Sequence, residues 1–217
     1  MYVTHKTILL SGCIILYSIG IWVMRVAFRE SIQTVALAIF FVLLLQATIQ
    51  NFRVEGPSMN PTYADYDRVI VNKLAYLSIE KNKVANIIPT FDRPETARWY
   101  PLGRPSFGDI VVFRWPRNER QILVKRVIGV PGDTIEIENG RVIRNGIVLK
   151  EPYVVHNSNE SLVDRVIPLG KYIVMGDNRS ESDDSRHWGW VPEENIIGEV
   201  WLNYWPLPKI DNKFLFR

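Results

Sequence analysis

Gln121–Leu149 reads QILVKRVIGVPGDTIEIENGRVIRNGIVL. Side chains alternate between the two faces of a strand. Over Gln121–Val130 this puts Leu123, Lys125, Val127 and Gly129 on one face and Ile122, Val124, Arg126 and Ile128 on the other. Both faces are apolar except for the two cations. Pro131-Gly132-Asp133 then reads as a turn. The short runs Thr134–Glu138, Arg141–Ile143 and Ile147–Leu149 follow, joined by Asn139-Gly140 and Asn145-Gly146. Asn-Gly between alternating runs is a strong hairpin signal, so the stretch predicts one long strand followed by a β-meander.

The pattern extends to either side. Asp67–Leu74, Ile110–Phe113, Lys171–Met175 and Ile196–Tyr204 also have strand character. Glu151–Arg165 is polar and reads as a loop. Residues 78–105 contain four prolines and mixed charges without a clean period, and read as a loop or insertion; their Ile87, Ile88, Phe91, Trp99 and Tyr100 could dip into a membrane interface or cover the domain's own core. Nothing after residue 52 has a helical period. The expectation is a mainly β, compact antiparallel domain over 53–217, with a small β-meander subdomain at 133–175.

The first 52 residues differ. Thr7–Met24 and Ser31–Gln50 are uncharged runs of 18 and 20 residues. A bilayer core needs roughly 20 apolar residues in a helix, so both qualify as spans. Arg25–Glu30 between them carries two arginines against Lys6 at the N-terminus. That asymmetry predicts a helical hairpin with its short loop in the cytoplasm and residues 52–217 outside. Two other readings stay open: a cleavable signal peptide ending near Ser18-Ile19-Gly20, or a single span by the second run.

The chain has 217 residues and a net charge of +3. No basic run with interleaved aromatics appears, which argues against nucleic acid. Cys13 is the only cysteine, so no intrachain disulfide forms. The three histidines and the absence of HExxH exclude the common zinc patterns, and no cofactor is expected. Gly176–Gly189 is dense in acids, hydroxyls and arginines, but Arg179 and Arg186 interrupt the carboxylates and no calcium-loop spacing appears.

Val54–Thr62 reads VEGPSMNPT and presents Ser58 between two prolines. A serine hydroxyl needs a base to become a nucleophile. A Ser58–His187–Asp184 triad is thinkable. Lys125 is the other candidate: desolvation on an apolar strand lowers a lysine pKa and frees the amine as a base. A lysine inside an apolar strand is also commonly an edge residue.

Three blocks in this order after a membrane anchor, EGPSMNPT, VKRVIGVPGDTIEI and GDNRSESDDSRHWGWVP, resemble the bacterial type I signal peptidases, a family of Ser/Lys proteases. The likeness covers residues 31–205. It implies a membrane-bound endopeptidase that removes signal peptides from exported preproteins after a small-x-small site, with its catalytic domain on the outer side of the cell membrane. Preprotein signal peptides, membrane lipid and the export machinery would be its partners. By the same resemblance Ser58 is the nucleophile and Lys125 the general base. Ser182 helps orient the lysine, Asp184 and Arg186 form a charged pair bracing the site, and the Ser58 N–H lies in the oxyanion hole. Many members carry serine where this chain has Gly56, which leaves the oxyanion hole one side-chain donor short. A narrower Ser/Lys endopeptidase and a tethered β-domain acting as a scaffold are the competing readings. Ser58 lies eight residues beyond Gln50, so an extended chain puts it at most about 28 Å from the end of the apolar run.

Overall fold

The computed structural model describes residues 4–80 and 98–206. The chain divides into two units, Met1–Ala47 and Thr48–Arg217.

The first unit is one helix, α1 (Thr4–Thr48). The two apolar runs are therefore segments of a single helix, not two helices joined by a loop. The reason is local. Arg25-Val26-Ala27-Phe28-Arg29-Glu30 contains no Gly, Pro or Asn, and charge alone does not end a helix. The hydroxyls of Ser31 and Thr34 donate to the carbonyls of Ala27 and Glu30 at 2.8 and 2.9 Å, so the polar side chains after the charged segment stay within the helix. The stretch Met24–Thr48 is long and apolar enough to cross a membrane, and its large side chains, among them Leu37 and Phe40, are exposed.

The second unit is β-rich. Its strands in chain order are β1 (Ile49–Arg53), β2 (Arg68–Asn72), β3 (Ile79–Glu80), β4 (Arg98–Trp99), β5 (Ile110–Trp115), β6 (Asn118–Gly129), β7 (Thr134–Glu138), β8 (Arg141–Arg144), β9 (Ile147–Val148), β10 (Leu162–Val166), β11 (Lys171–Met175), β12 (Val191–Pro192) and β13 (Ile196–Trp205). Seven of them form one sheet in the order β1-β2-β13-β5-β6-β11-β12, and four form a second in the order β10-β7-β8-β9. All their pairings are antiparallel.

The two Asn-Gly steps make the expected hairpins. Asn139 and Asn145 have φ of 46° and 54°, and Gly140 and Gly146 have 78° and 77°, the left-handed pair that a two-residue hairpin turn requires. Two strands run against expectation. β1 takes Ile49 and Gln50 from the end of the second apolar run, because antiparallel pairing with β2 (Ile49↔Asn72 to Arg53↔Arg68) saturates its backbone. β10 lies in a segment read as a loop and is captured by the edge of β7. Within 78–105, residues 81–97 lie outside those described, and with them Ile87, Ile88 and Phe91; β3 and β4 pair at its ends.

Three apolar clusters fill the unit. Val54, Met59, Val69, Val71, Ile110, Val112 and Val200 pack under β2 and β5. Ile128, Ile135, Ile137, Val142, Ile167, Ile173 and Met175 join the two sheets. Val111, Phe113, Val127, Tyr172, Val174 and Val191 form the third. β6 runs from an exposed first half into a fully buried second half, Lys125–Gly129, flanked by β5 and β11. That geometry places Lys125 in the sheet interior and not at an edge.

Candidate active site

Lys125 pairs with Val111 of β5 across the ladder and is 4 % exposed. The other wall is the turn after β1. Two backbone bonds at Val54 close the segment, with Val54 N donating to the Asp67 carbonyl and Tyr66 N to the Val54 carbonyl. Asp65 caps the Gly56 N–H at 2.9 Å. Met59 is fully buried, so the neighbouring Ser58 is held at the surface of the core.

Lys125 Nζ donates to Ser58 Oγ at 2.5 Å. Two residues 67 apart in sequence thus meet in direct contact. Burial lowers the lysine pKa from 10.5 to about 8; the charges of Asp184, Asp183 and Asp177 oppose the shift and Arg186 adds to it. Near neutral pH a useful fraction of the amine is therefore uncharged.

The loop after β11 forms the floor. Asn178 N donates to the Ser58 carbonyl at 3.0 Å, and Asn178 Nδ2 to the Pro57 carbonyl at 3.3 Å. A Cβ on Gly176 would stand 2.4 Å from the Ser58 carbonyl oxygen and 2.3 Å from Ser182 Oγ, so only glycine lets the loop approach this closely. Asp184 caps the short helix α2 (Ser185–Trp188), accepts the Gly176 N–H at 3.0 Å, and takes two bonds from the Arg186 guanidinium at 2.8 and 2.9 Å. Burial raises the Asp184 carboxyl, but the bonds and charge of Arg186 and the Gly176 N–H outweigh it and hold the group below the usual carboxylate range. Ser182 Oγ is buried and has no partner in hydrogen-bonding geometry among the described residues; no bond joins it to Lys125.

Gly56 has φ +86°, a conformation that side chains rarely adopt, although a Cβ there would meet no atom within 4 Å. Backbone conformation, not crowding, is what a serine at this position would have to overcome.

His187 is not assembled with Ser58. Its ring nitrogens face Glu160 at 3.1 Å and Asp183 at 3.3 Å on a half-exposed surface, while both Asp184 oxygens are engaged by Arg186. The triad expectation fails because α2 directs the imidazole to the Glu160 side.

Sequence reasoning passed over a second buried ion pair. Arg126 donates two bonds to Asp177 at 2.9 and 2.8 Å and one to the Gly108 carbonyl at 2.9 Å. Thr62, four residues after Ser58, also donates to Asp177. The one available signal was that Arg126 occupies the apolar face opposite Lys125, where a cation needs a carboxylate.

Residues 28–205 match the family model described as signal peptidase, peptidase S26. The chain belongs to that family. Among its relatives, a probable signal peptidase I-1 from Synechocystis is 33 % identical over 82 % of this chain and 83 % of its own. Signal peptidase IB from Staphylococcus aureus is 31 % identical over 83 % and 92 %. Signal peptidase I from Pseudomonas aeruginosa is 32 % identical over 80 % and 72 %. A crystal structure of a signal peptidase I from Enterococcus faecalis is 34 % identical and aligns with 46 % of this chain and 98 % of its own at a TM-score of 0.41. The contact between Ser58 and Lys125 brings a hydroxyl and a desolvated amine together.

Proposed function

We propose that this protein is a membrane-anchored signal peptidase in which Ser58 attacks the scissile peptide bond and Lys125 is its general base. The observation that carries this reading is the 2.5 Å contact between Lys125 Nζ and Ser58 Oγ, made by a lysine whose burial lowers its pKa to about 8. In the reactive form the amine is neutral and its lone pair accepts the Ser58 hydroxyl proton. Oγ bonds to the carbonyl carbon, and the oxyanion that develops is met by backbone donors, the Ser58 N–H among them. The protonated lysine passes its proton to the leaving amine as the C–N bond breaks. A water, activated by the same amine, then releases the acyl group and regenerates Ser58.

The substrates are preproteins, cut after a small-x-small site just outside the bilayer. An apolar helix long enough to cross a membrane suits an enzyme acting at that level. The site belongs on the extracytoplasmic side of the bacterial cell membrane, beside lipid and the export machinery. Asp184 and Arg186 hold the floor under Ser58 and Lys125, and Ser182 lies within it.

The test is cleavage of a purified preprotein by the full chain in detergent. Ser58→Ala and Lys125→Ala each abolish cleavage, with circular dichroism unchanged. In the wild type the rate rises with pH through about 8 as the amine loses its proton. An active Lys125→Ala protein alongside an inactive His187→Ala protein would overturn the amine-base mechanism.

A further inference from the structure

The loop between β9 and β10 contains Glu151-Pro152-Tyr153, at the start of the polar segment expected to be a loop. In the structure this short segment touches both of the buried arginines that flank the candidate site. The Tyr153 ring lies under the Arg126 guanidinium, 4.0 Å from its carbon to the ring centroid. Glu151 accepts from Arg179 Nη2 at 2.5 Å, and the Tyr153 hydroxyl donates to Glu151 at 2.9 Å, tying the two contacts together. Arg179 is 2 % exposed and Arg126 is 7 % exposed, while Glu151 and Tyr153 are half-buried over them.

Each arginine in turn holds a part of the site. Arg179 Nε donates to the Gly176 carbonyl at 3.1 Å, at the point where the loop passes under the Ser58 carbonyl. Arg126 is the neighbour of Lys125 and grips Asp177, which Thr62 of the serine turn also reaches. The loop 176–178, the serine turn and the lysine strand are thus linked through two cations, and one segment supports both. A flat ring against a guanidinium fixes its plane, and a buried carboxylate fixes the position of the second cation.

We infer that Glu151 and Tyr153 are positioning residues for the Ser58–Lys125 pair, acting through Arg179 and Arg126. This rests on the Ser/Lys reading above. Removing the ring lets Arg126 and the Asp177 it grips shift, and with them the loop 176–178 packed against Ser58, which opens the Ser58–Lys125 pair to water. The amine is faced by Asp184, Asp183, Asp177 and Arg186, so the neutral form loses part of the desolvation that favours it and the carboxylates pull its titration upward.

The experiment is a pH–rate profile for preprotein cleavage by the full chain in detergent, comparing wild type with Tyr153→Ala, Tyr153→Phe and Glu151→Gln. Tyr153→Ala lowers kcat by about tenfold or more with KM nearly unchanged, and moves the acid limb to higher pH. Tyr153→Phe, which keeps the ring over Arg126, restores the acid limb to its wild-type position. A folded Tyr153→Ala protein with wild-type kcat and acid limb overturns the inference, as does a Phe variant that shifts the limb as far as Ala does. If Tyr153→Ala does not fold, Glu151→Gln decides: a reduced kcat with a shifted limb supports the role, and an unchanged profile overturns it. Failure of the underlying reading is separately visible, because Lys125→Ala would then retain cleavage.

Discussion

Burying the Lys125 ammonium opposes folding, and the pKa gives the size of the effect. A group that binds its proton less well folded than unfolded makes stability rise with pH between the two pKa values. For Lys125 that window runs from about 8 to 10.5. At roughly 1.4 kcal/mol per pH unit, the penalty below the window is about 3 kcal/mol. Lys125→Met, of similar length and uncharged, should therefore unfold at higher urea than the wild type at pH 7, with the difference shrinking towards pH 10 and cleavage abolished throughout. Equal midpoints at pH 7 would mean that the lysine is hydrated in solution. The alternating pattern of Gln121–Val130 made this residue conspicuous, because an amine on an apolar strand is a local inconsistency that sequence alone exposes. Its depth was not legible: whether β6 is an edge or an interior strand depends on β11, which pairs with it from more than forty residues away. Gly176 was invisible for a related reason, since its value lies in what passes beside it.

At the scale of elements, the end of β11 and the turn after β1 are pressed together through Gly176 and Asn178. A Cβ at 176 would displace the Ser58 carbonyl or the Ser182 hydroxyl, both under 2.5 Å away. Gly176 is not among the glycines with left-handed φ, so its substitution tests contact and not backbone strain. Gly176→Ala should lower kcat by about a hundredfold while the protein retains native-like near-ultraviolet circular dichroism, since a displacement near 1 Å is enough for such a loss. The strands that carry alternation (β2, β6, β7) or an apolar run (β5, β11, β13) are legible in the sequence. β1 and β10 are not, because each is made by a partner's unpaired edge and not by its own composition. The continuity of α1 departs from the expected hairpin because the charged interval contains no residue that breaks a helix.

At the scale of the whole molecule, the chain joins an apolar helix to a β-unit that has its own core. Its exposed apolar side chains over 24–48 suit a bilayer or detergent, whereas the clusters of the second unit lie within residues 48–217. The fragment 48–217 should remain in the aqueous phase of a detergent phase separation and keep cleaving a short soluble peptide, while the full chain moves to the detergent phase. Aggregation of the fragment with loss of its β circular dichroism would show that the helix contributes to folding. A last consequence concerns ionic strength. The three arginine–carboxylate pairs around the site, Arg126–Asp177, Arg179–Glu151 and Arg186–Asp184, have at most 9 % of any side chain exposed. Dissolved ions screen exposed charges but barely reach pairs that water does not enter. Catalysis on a short uncharged peptide should therefore be nearly indifferent to sodium chloride up to about 1 M. A steep decline with salt would show that these pairs open to solvent during turnover.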